Sequence, residues 1–276
     1  MRLANRALIM FSAAAIALPA LLAAPQSGAA TQPVGYAGPA RGVVQVGPDV
    51  SSSATQHAQS RNWDGYVTYV SRQADFNFVK ATWVQPVVHC QAAQAWTVFW
   101  IGLDGWFDGT VEQGGSSAYC PTKNGAPQYT LWWEMFPTNS IQSVMATKAG
   151  DTITSTVTYK PATKKFVIFV KDVTTGKSFT KTEACGSGQT CNRSSTDVIT
   201  EDVGRFGSGN YFPLANYGTM HYTQAGATDI AGHSGSLSST HWTNAAITEA
   251  GGGITYATVS ALASGGTSFA TTWKHS

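Results

Sequence analysis

The 276 residues carry 17 Lys+Arg against 15 Asp+Glu, and only 12% are charged while 43% are hydrophobic. Arg2, Arg6, Arg41 and Asp49 all precede residue 61, so the small positive excess belongs to the N-terminal part and residues 61–276 are formally neutral. That balance excludes a basic patch for nucleic acid and a polybasic run for a membrane surface.

In chain order, Arg2 and Arg6 precede an almost wholly apolar run, Ala7 to Ala24, closed by the small residues Gly28-Ala29-Ala30. Pro19 interrupts the run. The pattern predicts a secretory signal peptide over residues 1–30, not a membrane anchor, and no later segment is apolar for long enough to span a bilayer. Residues 31–60 are rich in Gly, Pro, Ser, Ala and Gln without sustained periodicity, and read as a disordered leader or short propeptide. Residues 61–276 have the length of one large β domain.

Apolar residues in that domain recur with period two. Over residues 152–159, Ile153, Val157 and Tyr159 share a face and the threonines take the other. Lys160-Pro161-Ala162-Thr163-Lys164-Lys165 is a turn. The continuous run Phe166-Val167-Ile168-Phe169-Val170 suits a buried strand, and residues 172–177 close a hairpin at Thr175-Gly176. Many strands with Gly-, Asn- and Ser-rich turns imply an all-β sandwich or barrel. Nine Trp, ten Tyr and twelve Phe exceed what a modest core needs, so some could line a groove for an extended polymer.

Four cysteines, Cys90, Cys120, Cys185 and Cys191, fit disulfides in a secreted chain, with three possible pairings. Cys185 and Cys191 flank a tight loop and should pair, which leaves Cys90 with Cys120. No Cys-x-x-Cys occurs and no two His lie four apart, so no metal site is expected. A Ser–His–Asp hydrolase is disfavoured, because the Gly-x-Ser-x-Gly elbow and its α/β setting are missing.

Several short motifs then follow in a fixed order. They are Asn62-Trp63-Asp64-Gly65-Tyr66, Thr82-Trp83-Val84-Gln85-Pro86, Trp100-x-Gly102-x-Asp104-Gly105, Gln113-Gly114-Gly115, Trp132-x-Glu134-x-x-Pro137, Gly150-Asp151-x-Ile153 and finally Glu201. Singly they are weak, since a lone Gln is normally surface, a lone Glu an ion-pair partner and an Asp before Gly a turn residue. As an ordered set they resemble the glutamic peptidases, the eqolisins. One departure is Thr196-Asp197-Val198-Ile199-Thr200-Glu201, where that family usually reads Ala-Glu-Trp-Ile-x-Glu.

The resemblance implies a lectin-like (concanavalin A-like) β-sandwich of two antiparallel sheets. It implies a catalytic dyad of Gln113 and Glu201, with Trp100, Asp104, Trp132 and Glu134 as substrate-binding or supporting residues. Strand alternation permits this: Trp100, Gly102 and Asp104 share a face, as do Trp132 and Glu134, and Asp197, Ile199 and Glu201. Glu201 would move protons, and the Gln113 amide, which always carries its hydrogens, would donate to an oxyanion. The expected partner is a polypeptide in an extended groove, acted on by a secreted, cofactor-free monomer. A glycan-active or glycan-binding sandwich is the alternative, with Glu134 and Glu201 as its carboxyl pair. The low charge density also suits acidic conditions, because little stability rests on carboxylate salt bridges.

Overall fold

The computed structural model describes residues 33–41, 44–45, 55–70, 75–205 and 209–276. The expected signal peptide lies outside the described residues. Strands dominate, and among the described residues the one helical element is the short 3-10 turn Ser264–Gly266.

Two sheets form the architecture. The first contains, in spatial order, Gln56–Ser60, Thr243–Gly251, Trp63–Tyr69, Ser195–Asp202, Ala95–Leu103, Val111–Cys120, Gln128–Phe136 and Gln142–Ala146. All its neighbours are antiparallel except Gln56–Ser60 against Thr243–Gly251. The second runs Ile254–Val259, Phe269–Trp273, Thr219–Asp229, Phe76–Val84, Thr152–Lys160, Lys165–Asp172 and Ser178–Ala184. The hairpin from Thr243–Gly251 into Ile254–Val259 links them.

Between the sheets, Phe99, Ile101, Leu103, Leu131 and Val198 meet Trp83, Ile153, Val157, Ile168, Val170 and Tyr222. Each such side chain contributes about 1.5–3 kcal/mol by leaving water. The all-β sandwich expected from the sequence is therefore the fold. Lys160 faces Lys165 across the expected turn, and residues 172–177 close the expected hairpin. Cys90 pairs with Cys120 and Cys185 with Cys191.

Two expectations differ from the structure. Within Lys165–Asp172, Phe166, Ile168 and Val170 are buried but Val167 and Phe169 are only half-buried, because among the described residues no third layer covers the outer face of the second sheet. The larger difference concerns the leader. Gln56–Ser60 is a strand of the first sheet, and residues 35–41 cross its outer face, Gly35–Tyr36 as a short strand. Their conformation comes from hydrogen bonds to the domain, which local composition does not report.

That outer face carries a second apolar cluster containing Trp63, Trp96, Trp100, Trp132, Ile199 and Phe212, with Ala37 of the leader seated among them. Consequently Ala95–Leu103, Val111–Cys120 and Ser195–Asp202 are buried along their whole length on both faces.

Candidate active site

The site is built from aligned rows across the first sheet. One row reads Val67, Asp197, Gly102, Gln113, Glu134. The next on the same face reads Gly65, Ile199, Trp100, Gly115, Trp132, and the third Trp63, Glu201, Val98, Ser117, Thr130. Gln113 and Glu134 are thus direct cross-strand neighbours, whereas Glu201 approaches from two strands away. Gly102 makes room for the approach: a Cβ there would lie 2.9 Å from the Trp100 ring and 3.1 Å from Gln113 Cβ.

Glu201 is fully buried and accepts three hydrogen bonds. Asn62 Nδ2 donates to Oε1 at 2.9 Å, Gly38 N donates to the same oxygen at 3.0 Å, and Trp100 Nε1 donates to Oε2 at 2.9 Å. Burial pushes its carboxyl well above the usual range and the Asp202 charge adds to this, against the lowering effect of those donors. Glu134 Oε2 accepts from Ala37 N at 3.0 Å and lies 3.5 Å from Gln113 Nε2. Burial raises its carboxyl as well, Glu201 adds repulsion, and the Ala37 amide opposes the shift. The amide nitrogen of Gln113 donates to the carbonyl oxygen of Ala37. Among the described residues Gln113 Oε1 has no hydrogen-bond partner.

Gln113, Glu134, Glu201 and Trp100 are therefore brought together around one short stretch of backbone. Trp132 is buried on the same face, in the row between the other two. Asp104 goes elsewhere. It adopts φ 70° just past its strand, and its Oδ1 accepts from Ser194 N at 2.6 Å and Ser194 Oγ at 3.2 Å. Burial first, then Asp108, pushes it up to about 7. Its neighbours include the buried acids Glu112 and Asp197, both raised well above normal by burial and then by repulsion from Asp104 and Asp108. Asp104 organises an acidic loop beside this cluster and, among the described residues, makes no hydrogen bond to Gln113 or Glu201.

Asn62 is the contact that sequence reasoning missed. It was visible only as part of a motif, and its aim at Glu201 depends on how the turn before Trp63–Tyr69 is folded. No group of three or more His, Cys, Asp or Glu among the described residues is arranged to hold a metal ion.

A profile of the peptidase A4 family matches residues 61–272. The chain belongs to the peptidase A4 family. As a member it is a glutamic-type peptidase, a hydrolase, which decides against the glycan alternative. Among solved structures, scytalido-glutamic peptidase with a transition state analog inhibitor matches with a TM-score of 0.64 at 22% identity, covering 78% of this chain and 98% of that one. SCP-B, an eqolisin in complex with the tripeptide Ala-Ile-His, gives 0.63 at 22% identity over the same shares. Aspergilloglutamic peptidase from Aspergillus niger gives 0.56 at 23%, covering 66% of this chain and 100% of that chain. At these identities the likeness is one of fold. A search of curated protein sequences found no match.

Proposed function

We propose that this A4-family chain is a secreted acid endopeptidase with a Gln113/Glu201 dyad. One observation carries the reading: a single peptide unit, Ala37–Gly38, is contacted by both residues, Gln113 at its carbonyl oxygen and Glu201 at its N–H. Those are the two ends at which amide hydrolysis needs help. In the fraction of molecules that carry it ionised, Glu201 takes a proton from the attacking water and delivers it to the leaving nitrogen. Gln113 Nε2 donates to the oxygen as negative charge develops there. Asn62 and Trp100 hold the Glu201 carboxylate in position, and Glu134 fixes the backbone N–H one residue upstream of the reacting bond.

A polypeptide substrate is supported by family membership, and two of the similar structures hold a tripeptide and a peptide-based transition state analog. Secretion is supported by the n-region and apolar run of residues 1–30 together with two disulfides.

The deciding experiment is hydrolysis of a denatured protein at acidic pH by the parent and by Glu201→Gln. The variant keeps size and hydrogen bonding but cannot shuttle a proton, so its rate should fall at least ~10²-fold. Near-parental hydrolysis by a normally folded variant would reject the dyad.

A further inference from the structure

Beside Glu201, on the N–H side of the Ala37–Gly38 peptide unit, lies a cavity of about 580 Å³ bordered by Gly38, Pro39, Phe136 and Tyr211. Three arginines line it: Arg41 from the segment that crosses the sheet, and Arg61 and Arg205 from the domain. Among the described residues Glu201 is the one acid in its wall, and burial holds that carboxyl well above the usual range, so in acid it offers these cations little counter-charge. Arg61 is exposed and takes part in neither ion pair found among the described residues, Lys181 with Glu183 and His233 with Asp229. It shares a second cavity with Asp202 and the C-terminal Ser276. Burial raises Asp202 well above its ordinary range, against the lowering effect of Arg61, so in acid this neighbour keeps its proton and leaves the guanidinium uncompensated. Arg205 is held in place: its Nε donates to Tyr211 O at 3.1 Å, a terminal nitrogen donates to Gln94 Oε1 at 3.5 Å, and the guanidinium carbon lies 4.0 Å from the centre of the Phe212 ring. The Tyr211 phenol is pushed up to about 12 by burial and then by Asp202 and Glu201, and remains a hydrogen-bond donor.

On the dyad roles proposed above, we propose that this cavity is a subsite for a carboxylate on the leaving fragment of the substrate, with Arg61 and Arg205 as the residues that select it. Gly38 marks the place of the first residue of that fragment, because Glu201 accepts from its N–H. A Cβ there would lie 3.2 Å from the Phe136 ring, which is part of the cavity wall, so a longer side chain is directed along that wall into the cavity. Pro39, in the place of the second residue, borders the same space. A planar guanidinium presents paired donors that match the two oxygens of a carboxylate, and hydrogen bonds to an ionised acceptor are about twice as strong as neutral ones. An amide of the same shape forfeits the charge, and an ammonium group meets like-charge repulsion. An Asp or Glu side chain and the terminal carboxylate of a short fragment present the same pair of oxygens.

The test uses the full chain and synthetic peptides of one sequence, with cleavage followed by chromatography and mass. One set carries Glu, Gln or Lys at the first or second residue after the cleaved bond; a second set ends at the second of these residues as a free carboxylate or as an amide. At about pH 5, where these carboxyls are largely ionised, kcat/KM should favour the carboxylate peptide over its amide partner roughly fivefold. The ratio should fall toward one as pH drops below about 4 and the substrate carboxyl takes its proton. Selectivity in the first set assigns an acidic side chain, and in the second a chain terminus. Arg61→Gln should bring the ratio down toward one, as should Arg205→Gln, and Arg61→Glu should make Lys the favoured residue, a reversal that a merely structural role would not produce. A parent that cleaves every peptide with a ratio near one, or a ratio that survives both Gln variants, would overturn the subsite and leave the dyad standing. A folded parent that cleaves none of the peptides would overturn both.

Discussion

At the scale of single residues, the site rests on donors that favour the ionised form of one buried acid. Trp100 Nε1 is one of them, and Trp100→Phe removes it while leaving most of the ring volume. Losing a hydrogen bond to a charged group should move Glu201 further up. The limb of the pH–rate profile that reports its ionisation should shift to higher pH, with kcat/KM lower by about tenfold on the acid side. An unmoved profile would mean the indole serves packing alone. Gln113→Ala should lower kcat by ~10²-fold and KM much less, the signature of a donor used in the transition state; weakened binding with unchanged kcat would make Gln113 a positioning residue. Gln113, Glu134, Glu201 and Trp100 were legible because their motifs come in order and alternation puts them on one face. Asp104 shared that alternation on paper, but its strand ends at Leu103 and its left-handed φ turns the carboxylate to Ser194.

Among the elements, the strands of the first sheet were recognisable by period two, but their surroundings were not. A one-sided sheet should alternate apolar and polar burial; here Val111–Cys120 and Ser195–Asp202 are buried throughout, because an aromatic layer and residues 35–41 cover the outer face. Strand alternation alone does not report the burial of Glu112 and Asp197. The disulfides act on elements too. Cys90–Cys120 spans 30 residues and ties the end of the Gln113 strand to the segment before Ala95–Leu103, whereas Cys185–Cys191 spans 6. Chain-entropy arguments give about 3.5 kcal/mol for the longer closure and about 2 kcal/mol for the shorter. Replacing Cys90 and Cys120 with Ala should therefore lower the unfolding midpoint in denaturant more than replacing Cys185 and Cys191, and the reverse order would place the stabilisation in native packing around the short loop.

For the whole molecule, pH is the governing variable. Burial raises Asp64, Glu112, Glu134, Asp197, Glu201 and Glu249 well above their ordinary range, and Asp202 likewise despite Arg61. A carboxyl with a raised folded value binds its proton more tightly in the fold than in the unfolded chain. Its contribution to stability is complete below the unfolded value and is lost as pH climbs through the folded one, which for Asp104 runs from 3.8 to about 7. Asp172 and Asp229 act in the opposite sense, held low against burial by hydrogen bonds from Thr175 and His233. With seven further acids on the first side, thermal unfolding followed by circular dichroism should give its highest midpoint in mildly acidic buffer and a falling midpoint between about pH 4 and pH 7. A midpoint that rises over that interval would show these acids to be ionised in the fold. The parallel pairing of Gln56–Ser60 with Thr243–Gly251 bears on how such a chain is made. Thr243–Gly251 wedges between Gln56–Ser60 and Trp63–Tyr69, so these two early strands of the first sheet wait for a partner that lies much later in the sequence. Until synthesis passes residue 251, Trp63–Tyr69 has an open hydrogen-bonding edge, and a chain stopped short would present that edge to its neighbours. Assembly of the first sheet is thereby deferred until synthesis has passed residue 251, a delay that would keep a nascent peptidase inert while it is still being translated.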